Sequence, residues 1–196
     1  MTKILFICHG NICRSPMAEF VMRDMAEKAG LSDQFLIESA ATSAEELGNP
    51  VYPPVRRLLA QHGIDCTGKT ARRLVRADLD RFDWLIGMDE ENLHGMRRIL
   101  LAPDAAGNVS VAQNARKAIR GTSRRDASGA GIPGAGGKGG ASPGGAQKLC
   151  LLLDFTDHPR SVADPWYTRD FETTWRDVNE GCRGLLLALT NGGAAQ

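Results

Sequence analysis

Four short apolar runs, each leading into a segment of helical period, constrain the fold of this chain more than any other feature. The first is "KILFI" at 3–7, closed by Gly10 and Asn11. A continuous apolar run of that length suits a strand buried on both faces of a parallel sheet. "FLIES" at 35–39, "FDWLIGM" at 82–88 and "LCLLLDF" at 149–155 read as the second, third and fourth strands. Ser15-Pro16 is a helix start, with Ser15 as cap and Pro16 at the first helical position. Met17, Phe20, Val21, Met25 and Ala29 follow at helical spacing, and Gly30 ends the run. Further helices are expected from about Val55 to His62, after "GNP" at 48–50, and from Glu90 to Leu100. A last helix should run from Phe171 to about Leu189, with Trp175, Val178, Cys182, Leu185 and Leu186 on one face. Strands alternating with helices imply an α/β fold of three layers, a four-stranded parallel sheet flanked by helices. Right-handed crossovers put the loops after the strands at one sheet edge, where ligands bind. The loop 8–15 is one of these, together with the loops after the third and fourth strands.

The rhythm breaks at 102–147. The stretch "GTSRRDASGAGIPGAGGKGGASPGGAQ" is rich in Gly, Ser, Ala and Pro without periodicity, and should be a flexible, solvated insertion. The chain of 196 residues is then one domain, 1–196, interrupted there. The insertion carries about +4 of charge and leaves the rest near −3, for a net +1. Two readings stand open: a solubilising insertion, or a basic arm that recruits an acidic partner, membrane surface or phosphorylated chain. Overall charge gives no reason to expect a nucleic-acid partner. No segment approaches the roughly 18 apolar residues of a membrane span, and no signal-peptide core is present. The five cysteines, 8, 13, 66, 150 and 182, contain no CxxC pair. Free thiols in the cytoplasm are the simpler expectation than a disulfide or zinc framework.

The loop after the first strand, "CHGNICRSP", carries the chemistry. Successive amide N–H groups in such a loop form an anion nest, and the helix that follows adds its positive end. Gly10 and Asn11 tolerate the curled backbone this needs. Arg14 offers a planar fork to two phosphate oxygens. Charges that bind an oxyanion also stabilise a thiolate, so Cys8 should be an ionised nucleophile aimed at phosphorus. His9, Ile12, Cys13 and Ser15 complete the loop. A leaving aryloxide needs a proton, and Asp164 in "ADPWY" follows the fourth strand at the same edge. A phosphate dianion nearby should keep the proton on it. Trp166 and Tyr167 would wall a slot for an aromatic leaving group.

These residues resemble the low-molecular-weight protein tyrosine phosphatases. "CHGNICRSP" matches that family's C-x5-R-S loop, and "ESAATS" at 38–43, "GNP" at 48–50, "MDEEN" at 88–92 and "DPWY" at 164–167 fall in the family's order. The resemblance covers about 1–101 and 148–190. It implies a doubly wound, flavodoxin-like sheet and hydrolysis of phosphotyrosine in proteins, and of small aryl phosphates, through a phosphocysteine. It further implies Cys8 as nucleophile, Arg14 as phosphate clamp, Asp164 as general acid, Ser15 donating to Cys8, Asn11 and Ser39 holding the loop, and Asp89 orienting Arg14. No metal and no cofactor are implied. The chain departs from the pattern at Glu45, where an aromatic often lines the slot, which should favour basic peptides. It departs again around "DCTGKT" at 65–70, where a histidine of the loop-supporting network is not matched.

Other readings remain beside this one. Asp164 alone would also suit a turn cap. Cys13 is either a packed loop residue or the partner of Cys8 in a reversible disulfide. His62 and His94 read as structural or solvated, and His158 as a loop residue near the site's edge. Arsenate reduction uses the same kind of loop but needs resolving cysteines. Phosphoarginine hydrolysis would favour Thr where Ile12 stands. A non-catalytic phosphoprotein-binding scaffold should have lost Cys8, Arg14 or Asp164, and all are present.

Overall fold

The computed structural model describes residues 1–101 and 148–191. The expectations for the insertion at 102–147 therefore lie outside the described residues. Strands β1 (Thr2–Cys8), β2 (Phe35–Ala41), β3 (Trp84–Gly87) and β4 (Lys148–Leu151) form one sheet in the order β2-β1-β3-β4. Every pairing is parallel. Thr2 stands opposite Phe35, Ile4 opposite Trp84, and Trp84 opposite Lys148. The helices are α1 (Arg14–Lys28), α2 (Pro53–Gln61), α3 (Asp78–Arg81), α4 (Glu90–Leu100), α5 (Pro165–Thr168) and α6 (Phe171–Asn191).

β1 lies at the centre and explains the layering. Ile4, Leu5, Phe6 and Ile7 are all fully buried. Successive side chains alternate between faces, so Ile4 and Phe6 join Met17, Val21, Val55, Val178 and Leu185 on the α1, α2 and α6 side. Leu5 and Ile7 join Leu79, Leu85, Leu93 and Met96 on the α3 and α4 side. Each such side chain contributes roughly 1.5–3 kcal/mol of burial. The short apolar run at the N-terminus thus anchors both cores and fixes the loop that leaves its end.

Several boundaries differ from the sequence reading. α1 begins at Arg14, with Cys13 as cap residue and no side-chain cap bond. Ser15 lies inside the first turn because its hydroxyl is engaged elsewhere. Met22 and Ala26 are buried where Ala29 was expected, and Ala29 is exposed. β3 is shorter than "FDWLIGM", and α3 precedes it. β4 stops at Leu151, and Leu152–Phe155 form a 3-10 turn. Asp154 accepts the Leu151 N–H at 2.9 Å, which curls the chain. Leu152 and Leu153 are fully buried, and α6 packs close over this turn. A Cβ at Gly181 would fall 2.5 Å from Leu152 Cγ, and one at Gly184 only 2.1 Å from the Phe155 carbonyl oxygen. An apolar run buried against a helix has the same pattern as a buried strand. Among the described residues, no helix is long and apolar enough to cross a membrane.

Candidate active site

The loop between β1 and α1 has one residue in the left-handed region, Asn11 at φ 58°. That conformation folds the loop back over the end of β1. The Asn11 N–H then meets Cys8 Sγ at 3.3 Å. Ser15 Oγ lies 3.0 Å from the same sulfur. Asn11 Nδ2 donates to Ser15 Oγ at 2.9 Å, and the same hydroxyl has the Ala40 carbonyl at 3.5 Å as a further acceptor. Among the described residues, the amides of Gly10, Ile12, Cys13, Arg14 and Ser15 donate to no protein acceptor. Unpartnered amides at a helix start, around a sulfur, make an anion cradle.

Asn11 is spent fully on holding this shape. Its Nδ2 also donates to Ser39 Oγ at 2.7 Å, and its Oδ1 accepts the Arg72 N–H at 3.1 Å. Ser39, fully buried in β2, donates in turn to Glu19. Glu19 is 2% exposed. Lys69 Nζ reaches its Oε2 at 2.8 Å and Arg23 Nη2 its Oε1 at 2.7 Å. Lys69, in the "DCTGKT" segment, thus supplies a cation to the network beneath the loop. Neither Glu19 nor Lys69 was found in the sequence. Glu19 sits one helical turn after Ser15, which is the one local signal that placed it beneath the loop.

Arg14 is 4% exposed. Its Nη1 donates to Asp89 and its Nη2 pairs with Asp164. Burial works against the guanidinium charge, but Cys8, Asp164 and Asp89 outweigh it and hold its pKa above the ordinary value. Asp89 is fixed as the cap of α4, accepting the Asn92 N–H at 2.7 Å. Asp164 is a cap, as one of its two readings expects, and it also faces the phosphate-loop arginine. Its Oδ1 caps α5, accepting the Trp166 N–H at 2.9 Å, while Oδ2 faces Arg14. Burial first, then Cys8, pushes the Cys13 thiol up to about 12. All five cysteines are free thiols.

Cys8, His9, Gly10, Ile12, Cys13, Arg14, Asp164, Trp166 and Tyr167 line one cavity of about 700 Å3. Asn11, Ser15 and Ser39 lie beneath it, and Asp89 behind Arg14. Tyr167 is 82% exposed, whereas Trp166 leans edge-on against Tyr52 at 6.0 Å. Glu45 lines the mouth and meets His9 Nε2 at 3.1 Å. His62 stacks on Trp175 at 4.0 Å, a structural contact. His158, Cys66, Cys150 and Cys182 do not line the cavity. His94 does, together with Thr42, Arg73 and Arg98, a side of the cavity that sequence reasoning missed.

The family model described as "Low molecular weight phosphotyrosine protein phosphatase" matches residues 3–120. The chain is 31% identical over 191 residues to "Low molecular weight protein-tyrosine-phosphatase YfkJ" of Bacillus subtilis (strain 168), covering 96% of each chain. The crystal structure of YfkJ superposes with a TM-score of 0.72 at 30% identity, over 98% of this chain and 97% of that one. "Low molecular weight phosphotyrosine protein phosphatase 1" of Drosophila melanogaster is 43% identical over 97 residues, which span 50% of this chain and 61% of its own length. The low molecular weight protein tyrosine phosphatase SP-PTP from Streptococcus pyogenes has 31% identity and a TM-score of 0.64, with 95% of this chain and 91% of that one covered.

Proposed function

The chain belongs to the low molecular weight phosphotyrosine protein phosphatase family and is a phosphatase, and from that premise we propose how its own residues perform the reaction. Cys8 attacks the phosphorus of a phosphotyrosine, or of a small aryl phosphate, as the thiolate. The free amides of the loop and the guanidinium of Arg14 hold the phosphoryl oxygens and gain strength as charge builds on them. Asp164 protonates the leaving phenolate oxygen, and a phosphocysteine forms as the P–O bond breaks. The Asp164 carboxylate then takes a proton from water as its oxygen attacks phosphorus. The thiolate leaves and inorganic phosphate is released. Trp166 and Tyr167 flank the aryl ring. Ser15, Asn11, Ser39 and Asp89 keep the loop and the guanidinium in place.

One observation carries this reading. Cys8 Sγ, the amides that surround it, and an Arg14 held between Asp89 and Asp164 face a single cavity. Arsenate reduction is less well supported, because Cys66 and Cys150 lie away from that cavity. Ile12 on the cavity wall favours an aromatic ester over phosphoarginine.

The test is release of p-nitrophenol from its phosphate ester. Wild type should turn it over and vanadate should inhibit. Cys8→Ser should be inactive, and Asp164→Ala should lose about 10²–10⁴-fold in kcat, the usual range for a general acid. Equal turnover by all three proteins would overturn the assignment.

A further inference from the structure

The cavity extends beyond a phosphate cradle and an aryl slot. Past the end of β2, the Thr42 N–H bonds to the Cys8 carbonyl at 2.9 Å and the Ser43 N–H to that of His9 at 3.0 Å. The chain therefore continues alongside the nucleophile's own backbone. Two elements close on Thr42 from beyond. The first is the segment 72–74, which pairs with Ala41: the Ala41 N–H donates to the Arg72 carbonyl and the Leu74 N–H to the Ala41 carbonyl, both at 2.8 Å. Leu74 turns into the core, at 1% exposed, and Arg73 is exposed and lines the cavity. The second is α4. A Cβ at Gly95 would stand 3.0 Å from Thr42 Cγ2, so the helix backbone approaches that residue closely. His94 and Arg98, one turn apart on α4, are exposed and line the same wall.

The charges on this side do not cancel. Arg14, Arg23, Arg72, Arg81 and Arg160 are each matched to carboxylates. Among the described residues, neither Arg73 nor Arg98 has such a partner. Glu91, in the first turn of α4, is the carboxylate that lines this side with them, one negative charge against two guanidiniums. The acidic side chains Glu45 and Glu46 line the opposite part of the mouth, near Gly10. A cation in the last turn of α4 would be unremarkable by itself. The convergence of Arg73, from a different segment, on the same wall is not explained by helix electrostatics.

We propose that Arg73, His94 and Arg98 form a second anion subsite, which takes an anionic side chain next to the phosphotyrosine of the substrate. The shared chemistry is a carboxylate or a second phosphate. The proposal rests on the reading of Cys8 as the phosphotyrosine site. It gives the mouth a polarity, with anions selected on the Arg73 side and cations beside Glu45.

The experiment compares kcat/KM for three phosphotyrosine peptides of one length. Their flanking residues are alanine, aspartate and glutamate, or a second phosphotyrosine. Enzymes are the full-length wild type, the Arg73→Gln/Arg98→Gln double variant and the charge-keeping Arg98→Lys. Each result is the ratio to the alanine peptide within one enzyme, so loss of folded protein cancels. Wild type should favour an anionic peptide by about two- to fivefold, the range that one exposed charge pair supplies. The preference should sit in KM and shrink with added salt. It should vanish in the double variant and persist in Arg98→Lys. Preference for both anionic peptides means a carboxylate suffices; preference for the doubly phosphorylated one alone means the ligand is phosphate. A wild type indifferent to flanking charge, or a preference that survives in the double variant, would overturn the proposal. Failure of wild type on p-nitrophenyl phosphate would instead strike the reading of the Cys8 site.

Discussion

Replacing Lys69 by methionine should damage this protein from beneath its loop. Glu19 is 2% exposed, and three groups satisfy it: Lys69, Arg23 and the Ser39 hydroxyl. The two cations are unequal. The Lys69 side chain is 13% exposed, and its Nζ also approaches the Ser39 carbonyl at 3.3 Å. The Arg23 side chain is 45% exposed and shares its donors with the Ile37 carbonyl at 3.0 and 2.6 Å. Removing one partner of a buried pair costs about 3–5 kcal/mol. With Arg23 still on the other oxygen, the lower end applies, about 3 kcal/mol. For a domain of this size that lowers Tm by roughly 6–12 °C. Glu19→Gln should be milder, because a lysine side chain can swing its ammonium to water. The double variant Glu19→Gln/Lys69→Met leaves no buried charge and should recover part of the loss. Denaturant unfolding of the four proteins gives the coupling energy directly. Alkylation of Cys8 by iodoacetamide should also slow in Lys69→Met, because Ser39 links Glu19 to Asn11 and so to the sulfur. A loss below about 1 kcal/mol, the value of an exposed pair, would refute the reasoning. So would strict additivity in the double variant.

Two further outcomes follow from the packing of α6. Gly184→Ala would gain about 1 kcal/mol on helix propensity alone, but its Cβ has the Phe155 carbonyl at 2.1 Å. The clash should win, with a net loss of about 1–3 kcal/mol by urea titration; a stabilised variant would show that α6 does not sit so close. Burial pushes the Cys182 thiol well above its ordinary 9.0. The unfolded chain therefore releases this proton first, so folding stability is complete below pH 9 and falls above it, by up to about 1.4 kcal/mol per pH unit. Cys182→Ala should flatten that alkaline slope, and an unchanged slope would assign it to other groups.

The sequence made the strands and the nucleophile loop legible because both are local. "KILFI" is buried on two faces, so a short apolar run suffices to mark it. The loop's Cys, Arg and Ser lie within eight residues, so spacing alone suggests a cradle. Asp164 was reachable by one more step, that loops after parallel strands share an edge. The same step reaches Asp89, which follows β3. It cannot reach Lys69, because the segment 65–70 follows no strand and meets Glu19 only once α1 has packed on β2. Nor can it reach Arg73, whose place depends on the added pairing of 72–74 with Ala41. Leu152 and Leu153 show a different limit: burial under α6 and burial in a sheet leave the same apolar pattern. Ser15 shows a third. Its position before Pro16 fits a cap, yet its hydroxyl meets Cys8 and Asn11, and the helix starts two residues sooner. A capping bond would stabilise α1 by about 1 kcal/mol. Forgoing that bond to contact a buried sulfur is the kind of local conflict expected where a chain has been shaped by its chemistry. Two residues that break a local rule, Ser15 and the left-handed Asn11, are in contact with the nucleophile; Arg169, also left-handed, instead ends the short helix that Asp164 caps.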